Sequence, residues 1–134
     1  MTVLLLAGTG EAKRIAWGLS DTGRKVVASL AGATREPDPL PLPTRIGGFG
    51  GEDGFRKYVA DEKITAVLDA THPFAQQITD RTARVCAEVG LPYAQVLRPE
   101  WGAQDGDNWT AIDEPKDVAN HVPEDAVVFL ATGR

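Results

Sequence analysis

Residues 2–30, TVLLLAGTGEAKRIAWGLSDTGRKVVASL, read as a strand, a glycine turn, a helix and a second strand. Val3 to Ala7 is a short apolar run that ends in Gly8-Thr9-Gly10, and Ala12, Ile15, Ala16 and Leu19 recur at helical spacing until Gly23 stops them. Lys25 to Leu30 is the second strand. Beyond it lie Ala31-Gly32 and a Pro-rich surface loop from Pro37 to Pro43, where proline permits neither helix nor central strand. The glycine cluster RIGGFGG (45–51) follows, and Phe55, Tyr58 and Val59 then mark a helix. Ile64 to Ala70 is another buried strand, and Pro73 stands where the first turn of a helix running to Gly90 tolerates proline. Tyr93 to Leu97 and Trp109 to Ile112 read as strands, Pro115 to Val122 as a short helix, and Ala126 to Ala131 as a last strand. Strands apolar almost throughout, separated by amphipathic helices, call for an α/β fold: doubly wound and Rossmann-like, with a mostly parallel sheet and helices on both faces.

Bulk composition narrows the function. A length of 134 residues suits one domain, 1–134, and 43% apolar with 25% charged residues is globular composition. Fourteen basic against nineteen acidic residues leave a net charge of -5, so no nucleic acid partner is expected. TVLLLAG lacks a basic leader and is too short to span a bilayer, so neither a signal peptide nor a membrane partner is expected and the location read from it is cytoplasmic. The single Cys86 excludes an internal disulfide and a cysteine zinc cluster, and it falls on one helical stripe with Ile78, Val85 and Val89 as a core thiol. No metal site is expected.

In doubly wound sheets, ligands bind outside the carboxyl ends of the strands. Those ends carry Gly8-Thr9-Gly10, Ser29 to Gly32 and Asp69 to Phe74, which should converge on one crevice. In Gly8-Thr9-Gly10-Glu11, a glycine turn opening a helix lets backbone N–H groups approach a pyrophosphate. The dinucleotide fingerprint would need glycine where Lys13 stands, so a tight turn without ligand stays open, and the Walker spacing is missing. The second strand ends Ser29-Leu30-Ala31-Gly32 with no acid for a ribose 2′-hydroxyl, and Arg35 lies just beyond. That favours NADPH over NADH, with a solvated loop arginine as the alternative. Thr71 and His72 are expected to wall the crevice. His72 is the one candidate proton donor, against simple capping or a hydrogen bond to cofactor. His121 reads as a surface residue.

Six blocks in order, LLLAGTGEA (4–12), SLAGAT (29–34), RIGGFGG (45–51), LDATHPFA (68–75), RPEW (98–101) and FLATGR (129–134), resemble the amino-terminal half of the precorrin-6A reductase family of cobalamin biosynthesis. The resemblance implies a two-domain NADPH-dependent oxidoreductase with its cofactor in the cleft between domains. It would reduce a CH–CH bond of a ring-contracted tetrapyrrole, converting precorrin-6A to precorrin-6B. Cofactor contacts are expected from Gly8, Thr9, Gly10, Glu11, Ser29, Ala31, Gly32, Arg35, Thr71 and His72, and substrate contacts from Gly48, Phe49, Gly50 and Phe74. The bare GGFGG backbone would approach a flat or anionic ligand with Phe49 as an apolar face; a sharp loop with Phe49 plugged into the core is the alternative.

Two departures accompany the resemblance. Members often read Ser-Leu-Ala-Gly-Arg-Thr where Ala33 stands here, which leaves Arg35 to meet the 2′-phosphate. Members are also nearly twice as long, so the carboxy-terminal α/β domain is expected as a partner absent from this chain, and the isolated fragment is expected to be inactive. The substrate's carboxylates would need a local cluster of arginines such as Arg45, Arg98 or Arg134. A short-chain reductase needs Tyr-x-x-x-Lys, but Tyr58 is followed at that spacing by Glu62 and Tyr93 by Leu97. A non-catalytic dinucleotide-binding or sensing module remains the second reading.

Overall fold

The apolar run at the amino terminus becomes the centre of a sheet because both of its faces find cover. In the computed structural model, which describes residues 1–32 and 39–131, the elements are β1 (Thr2–Leu6), α1 (Gly10–Ser20), β2 (Lys25–Leu30), β3 (Thr44–Ile46), α2 (Gly51–Asp61), β4 (Ile64–Asp69), α3 (Gln76–Val89), β5 (Tyr93–Gln95) and a 3-10 helix, Pro115–Asn120. The sheet order is β3-β2-β1-β4-β5 and every pairing is parallel. Leu4 and Leu6 of β1 pack on one face against Phe55 and Val59 of α2 and Val85 and Cys86 of α3. Leu5 and Ala7 face the other way, onto Ala12 and Ala16 of α1. Helices therefore cover both faces, as the alternation of apolar runs and amphipathic segments predicts.

Cys86 is buried in the first cluster, and burial pushes its thiol up to about 11, so it is a core side chain and not a nucleophile. Across the α2–α3 seam, Glu52 meets Arg84 and Arg56 meets Glu88, while Arg56 also reaches Glu52 at 2.7 Å within α2. Such exposed pairs contribute little singly and act mainly to set how the two helices meet.

Several expectations need correction. Thr44–Ile46 forms an edge strand that no apolar pattern announces, since Ile46 is 59% exposed. Pro37 and Asp38 lie outside the described residues, and the rest of the Pro-rich segment, 39–43, is more than a surface loop: Leu40 and Leu42 pack against the α1-side cluster, and the Pro43 carbonyl accepts from the Ala28 N–H at 2.9 Å. Proline lacks a donor but keeps its acceptor, so it can lead into an edge strand. Pro73 does not open α3. It sits in a turn in which the Ala75 N–H donates to the His72 carbonyl at 2.8 Å, and the helix starts at Gln76.

Residues Met1–Pro99 form one compact unit, which holds all five strands, and Glu100–Arg134 form another. Among the described residues of the second unit, neither 109–112 nor 126–131 is a strand. An apolar run becomes a strand only by pairing its N–H and C=O groups with a neighbour, and the described residues of this unit contain no strand to pair with. Phe129 is left 91% exposed.

Candidate functional site

The strand order reverses at β1, with β2 and β3 on one side and β4 and β5 on the other, so the switch point lies where β1 and β4 end. Backbone hydrogen bonds continue past those ends and hold the tips together. Ala7 N–H donates to Ser29 O, Ala70 N–H to Leu6 O, Gly47 N–H to Leu30 O and Val96 N–H to Asp69 O, all at 2.8–2.9 Å. A cleft of about 150 Å³ opens over these tips. Its walls are Leu6 and Ala7 after β1, Ser29 and Ala31 after β2, Gly47 to Gly51, Thr71 after β4, and Ile78 and Arg81 of α3.

The glycine loop is shaped by three residues and left bare by a fourth. Gly47, Gly50 and Gly51 adopt φ of 117°, 79° and 84°, a region that side chains disfavour. Gly48 has no such φ, and a Cβ built on it meets nothing within 4 Å. Among the described residues neither backbone conformation nor a close neighbour requires glycine at 48, which borders the open cleft.

Arg45 holds this loop in place. One Nη donates to Ser29 Oγ at 2.7 Å and to Gly47 O at 2.9 Å, the other to Gly48 O at 2.9 Å, and the guanidinium lies 4.0 Å from the centre of the Phe49 ring. Phe49 meets Phe55 edge-on at 5.0 Å and Tyr58 at 5.1 Å, so its ring belongs to the core cluster and to the cleft wall at once. Phe49 is thus plugged into the core, as the second reading of GGFGG has it, and also borders the cleft. Arg45→Lys keeps the charge but loses the fork that reaches two carbonyls and a hydroxyl. It is expected to cost about 1–2 kcal/mol, visible in chemical denaturation; an unchanged midpoint would show that the loop holds itself.

Thr71 is aimed by a buried carboxylate. Asp69 Oδ1 accepts from Thr71 N–H at 3.0 Å and from Thr71 Oγ1 at 2.7 Å, while Oδ2 accepts from Thr79 Oγ1 at 3.0 Å and Tyr93 OH at 2.9 Å. Burial pushes the Tyr93 phenol far above its ordinary range, with the hydrogen bond to Asp69 adding to it, so the hydroxyl stays a donor.

The GTGE turn is differently placed. Thr9 caps α1: its hydroxyl accepts from Ala12 N–H at 3.1 Å and donates to Ala70 O at 2.8 Å. Glu11 follows in the first turn, its carboxyl held below the usual carboxylate range chiefly by its own backbone N–H, with Arg98 and Arg14 adding to it. The helix end thus already carries a negative charge. Gly8, Gly10, Gly32, His72 and Phe74 do not line the cleft either. His72 is exposed, its Nδ1 accepts from Phe74 N–H at 3.3 Å, and Phe74 is 87% exposed. His121 is also exposed, Arg98 contacts Glu11 at 3.5 Å, and Arg35 and Arg134 lie outside the described residues.

Of the expected site residues the structure therefore brings Ser29, Ala31, Gly48, Phe49, Gly50 and Thr71 to one cleft. Arg81 and Ile78 were not anticipated. The available signal was a cation at 81 on the helical stripe of Ile78, Val85 and Cys86, where an apolar residue belongs.

Residues 2–134 match the family described as precorrin-6x reductase CbiJ/CobK. The precorrin-6A reductase of Rhodobacter capsulatus is 44% identical over 133 residues, covering 98% of this chain and 53% of that protein. The precorrin-6A reductase of Mycobacterium tuberculosis is 49% identical over 138 residues, covering 98% and 53%. A solved CobK precorrin-6A reductase superposes with a TM-score of 0.85 at 42% identity, over 92% of this chain and 49% of that one. The chain spans about half the length of the curated relatives it matches.

Proposed function

Since the chain belongs to the precorrin-6x reductase CbiJ/CobK family, we propose that it is the amino-terminal, nucleotide-binding part of an NADPH-dependent oxidoreductase that converts precorrin-6A to precorrin-6B in cobalamin biosynthesis. The observation that carries this reading is the meeting of the β1, β2, β3 and β4 tips around a glycine-walled cleft at the switch point. The partner that completes the site is a carboxy-terminal α/β domain, and the enzyme works in the cytoplasm. No helix among the described residues is long and apolar enough to cross a membrane.

The fit is partial. Pockets that enclose a drug-sized ligand run to about 300–1,000 Å³, so a cleft of about 150 Å³ takes one segment of a dinucleotide. The Ser29 and Thr71 hydroxyls and the open backbone at Gly48 are the groups suited to hold that segment. No acid follows β2 to favour a free ribose 2′-hydroxyl, which supports NADPH over NADH.

Bound NADPH supplies the hydride. The chain's own part is to orient the cofactor with Thr71, held by Asp69, and the loop held by Arg45, and to exclude water with Leu6, Phe49 and Ile78. Among the described residues that line the cleft, none is an acid suited to deliver a proton near neutral pH. His72 is assigned to shaping its turn.

Calorimetric titration of the chain with NADPH and NADH tests this. Gly48→Val is expected to weaken NADPH binding by about tenfold or more, with the melting temperature little changed because a Cβ at this position meets nothing within 4 Å. Equal affinity in parent and variant, or preference for NADH, would contradict the reading. The same titration weighs the alternative, a non-catalytic dinucleotide-binding module: it is favoured if NADPH binds but the full two-domain protein reduces no tetrapyrrole.

A further inference from the structure

Among the described residues that line the cleft, Arg81 is the only charged side chain. It stands on α3 three positions past Ile78 and beside buried Thr82, half-buried, with its Nε enclosed and its side chain in the cleft wall. Its guanidinium makes no hydrogen bond or ion pair with any described residue, and its buried Nε–H has no acceptor. The contact recorded for it is the Phe55 ring, 5.8 Å away. Arg45, Arg56, Arg84 and Arg98, by contrast, each reach a hydroxyl, a carbonyl or a carboxylate.

A buried cationic donor without an acceptor is unfavourable. The cost disappears when an oxyanion enters the cleft and the guanidinium turns to it, because the two parallel N–H groups of arginine match a phosphate or carboxylate edge. The walls suit such a guest: the Ser29 and Thr71 hydroxyls share them, and no acidic side chain among the described residues does. In a chain of net charge -5, which repels anions at long range, Arg81 supplies local attraction inside the cleft, beside that of Arg45, whose donors are already taken by Ser29, Gly47 and Gly48 of the wall. We propose that Arg81 is the oxyanion-recognition residue of this cleft, gripping either a phosphate of the dinucleotide or a carboxylate of the tetrapyrrole. The proposal rests on the cleft being the ligand site argued above.

Calorimetry on the 134-residue chain at low salt, with NADPH, inorganic pyrophosphate and the octacarboxylate uroporphyrin as probes, separates the two sources. Arg81→Met is expected to melt at the parent temperature or above, since no partner is lost. It should weaken at least one probe by about tenfold, and Arg81→Lys should recover part of that by keeping the charge. Loss confined to NADPH and pyrophosphate assigns the phosphate; loss confined to uroporphyrin assigns the carboxylate. The proposal is overturned if the parent binds none of the probes, or if Arg81→Met binds all of them within about twofold of the parent. It is equally overturned if Arg81→Met and Arg81→Gln both unfold the chain, which would make Arg81 a structural residue. Binding of NADPH unaffected by Arg81→Met spares the reductase reading and removes Arg81. Binding of pyrophosphate or uroporphyrin through Arg81, with none of NADPH, does the reverse.

Discussion

Gly54→Ala is expected to be the most damaging single methyl in the first unit, costing about 3 kcal/mol or more and lowering the melting temperature by about 10 °C. A Cβ at this position of α2 falls on the carbonyl oxygen and carbon of Phe49, backbone that cannot swing aside. The clash arises because the glycine loop folds back onto the first turn of α2, a path fixed by Arg45 above it and by the Phe49 ring packed on Phe55. Relief would require lifting Phe49 out of the core and opening the cleft wall. Alanine normally strengthens a helix interior by about 1 kcal/mol over glycine, so the sign of the effect separates the two forces. A thermal melt showing Gly54→Ala as stable as the parent would mean that the loop can leave α2 freely, and the cleft geometry built on it would fail. Gly48→Ala, six residues earlier and facing open space, is the control that should melt normally.

Asp69→Ala should come next, at about 3–4 kcal/mol. The side chain is fully buried and accepts four hydrogen bonds from Thr71, Thr79 and Tyr93. Bonds to a charged acceptor contribute about 1.5–3 kcal/mol each when singly removed, and stranded donors carry their own desolvation cost. Because the four share one carboxylate, their deletions do not add. Asp69→Asn separates charge from geometry. Its carbonyl can still take both Thr71 donors, and the Thr79 and Tyr93 hydroxyls can rotate to accept from the amide. A loss of about 1–2 kcal/mol is expected there. Urea denaturation of the three proteins measures the series; equal stability of Asp69→Ala and parent would show that the network is not what aims Thr71 into the cleft.

Chain order and hydropathy were enough to read most of the fold. β1 and β4 are unbroken apolar runs because both faces of a central parallel strand are covered, and α1, α2 and α3 show the 3.6-residue spacing of helices buried on one side. β3 escapes such reading because three residues at a sheet edge, with Ile46 facing out, carry no period. The run at 126–131 misleads for the opposite reason: apolarity licenses a strand but does not supply the neighbour it must bond to.

Part of the site was equally legible. Small polar residues and glycines at strand ends pointed to Ser29, Ala31 and Thr71, the family resemblance added Gly48 and Gly50, and all five line the cleft. Which side of the sheet the cleft opens on could not be read from either. A local motif such as GTGE says that a helix starts there, and only packing shows that Thr9 and Glu11 already engage that helix end while the hollow lies beside α3.

The linear order of residues determined the doubly wound parallel sheet, the cluster of glycines at its carboxyl edge and the family, because periodicity and motif order are one-dimensional properties. Three-dimensional packing alone assigned Arg45 to the loop, Asp69 to Thr71, and Arg81 to the cleft without a partner. The first two roles are fixed by hydrogen bonds of about 3 Å that tie Arg45 to Ser29, 16 positions away, and Asp69 to Thr79 and Tyr93, 10 and 24 positions away, for which no spacing rule exists; the third rests on Arg81 finding no such partner among the described residues.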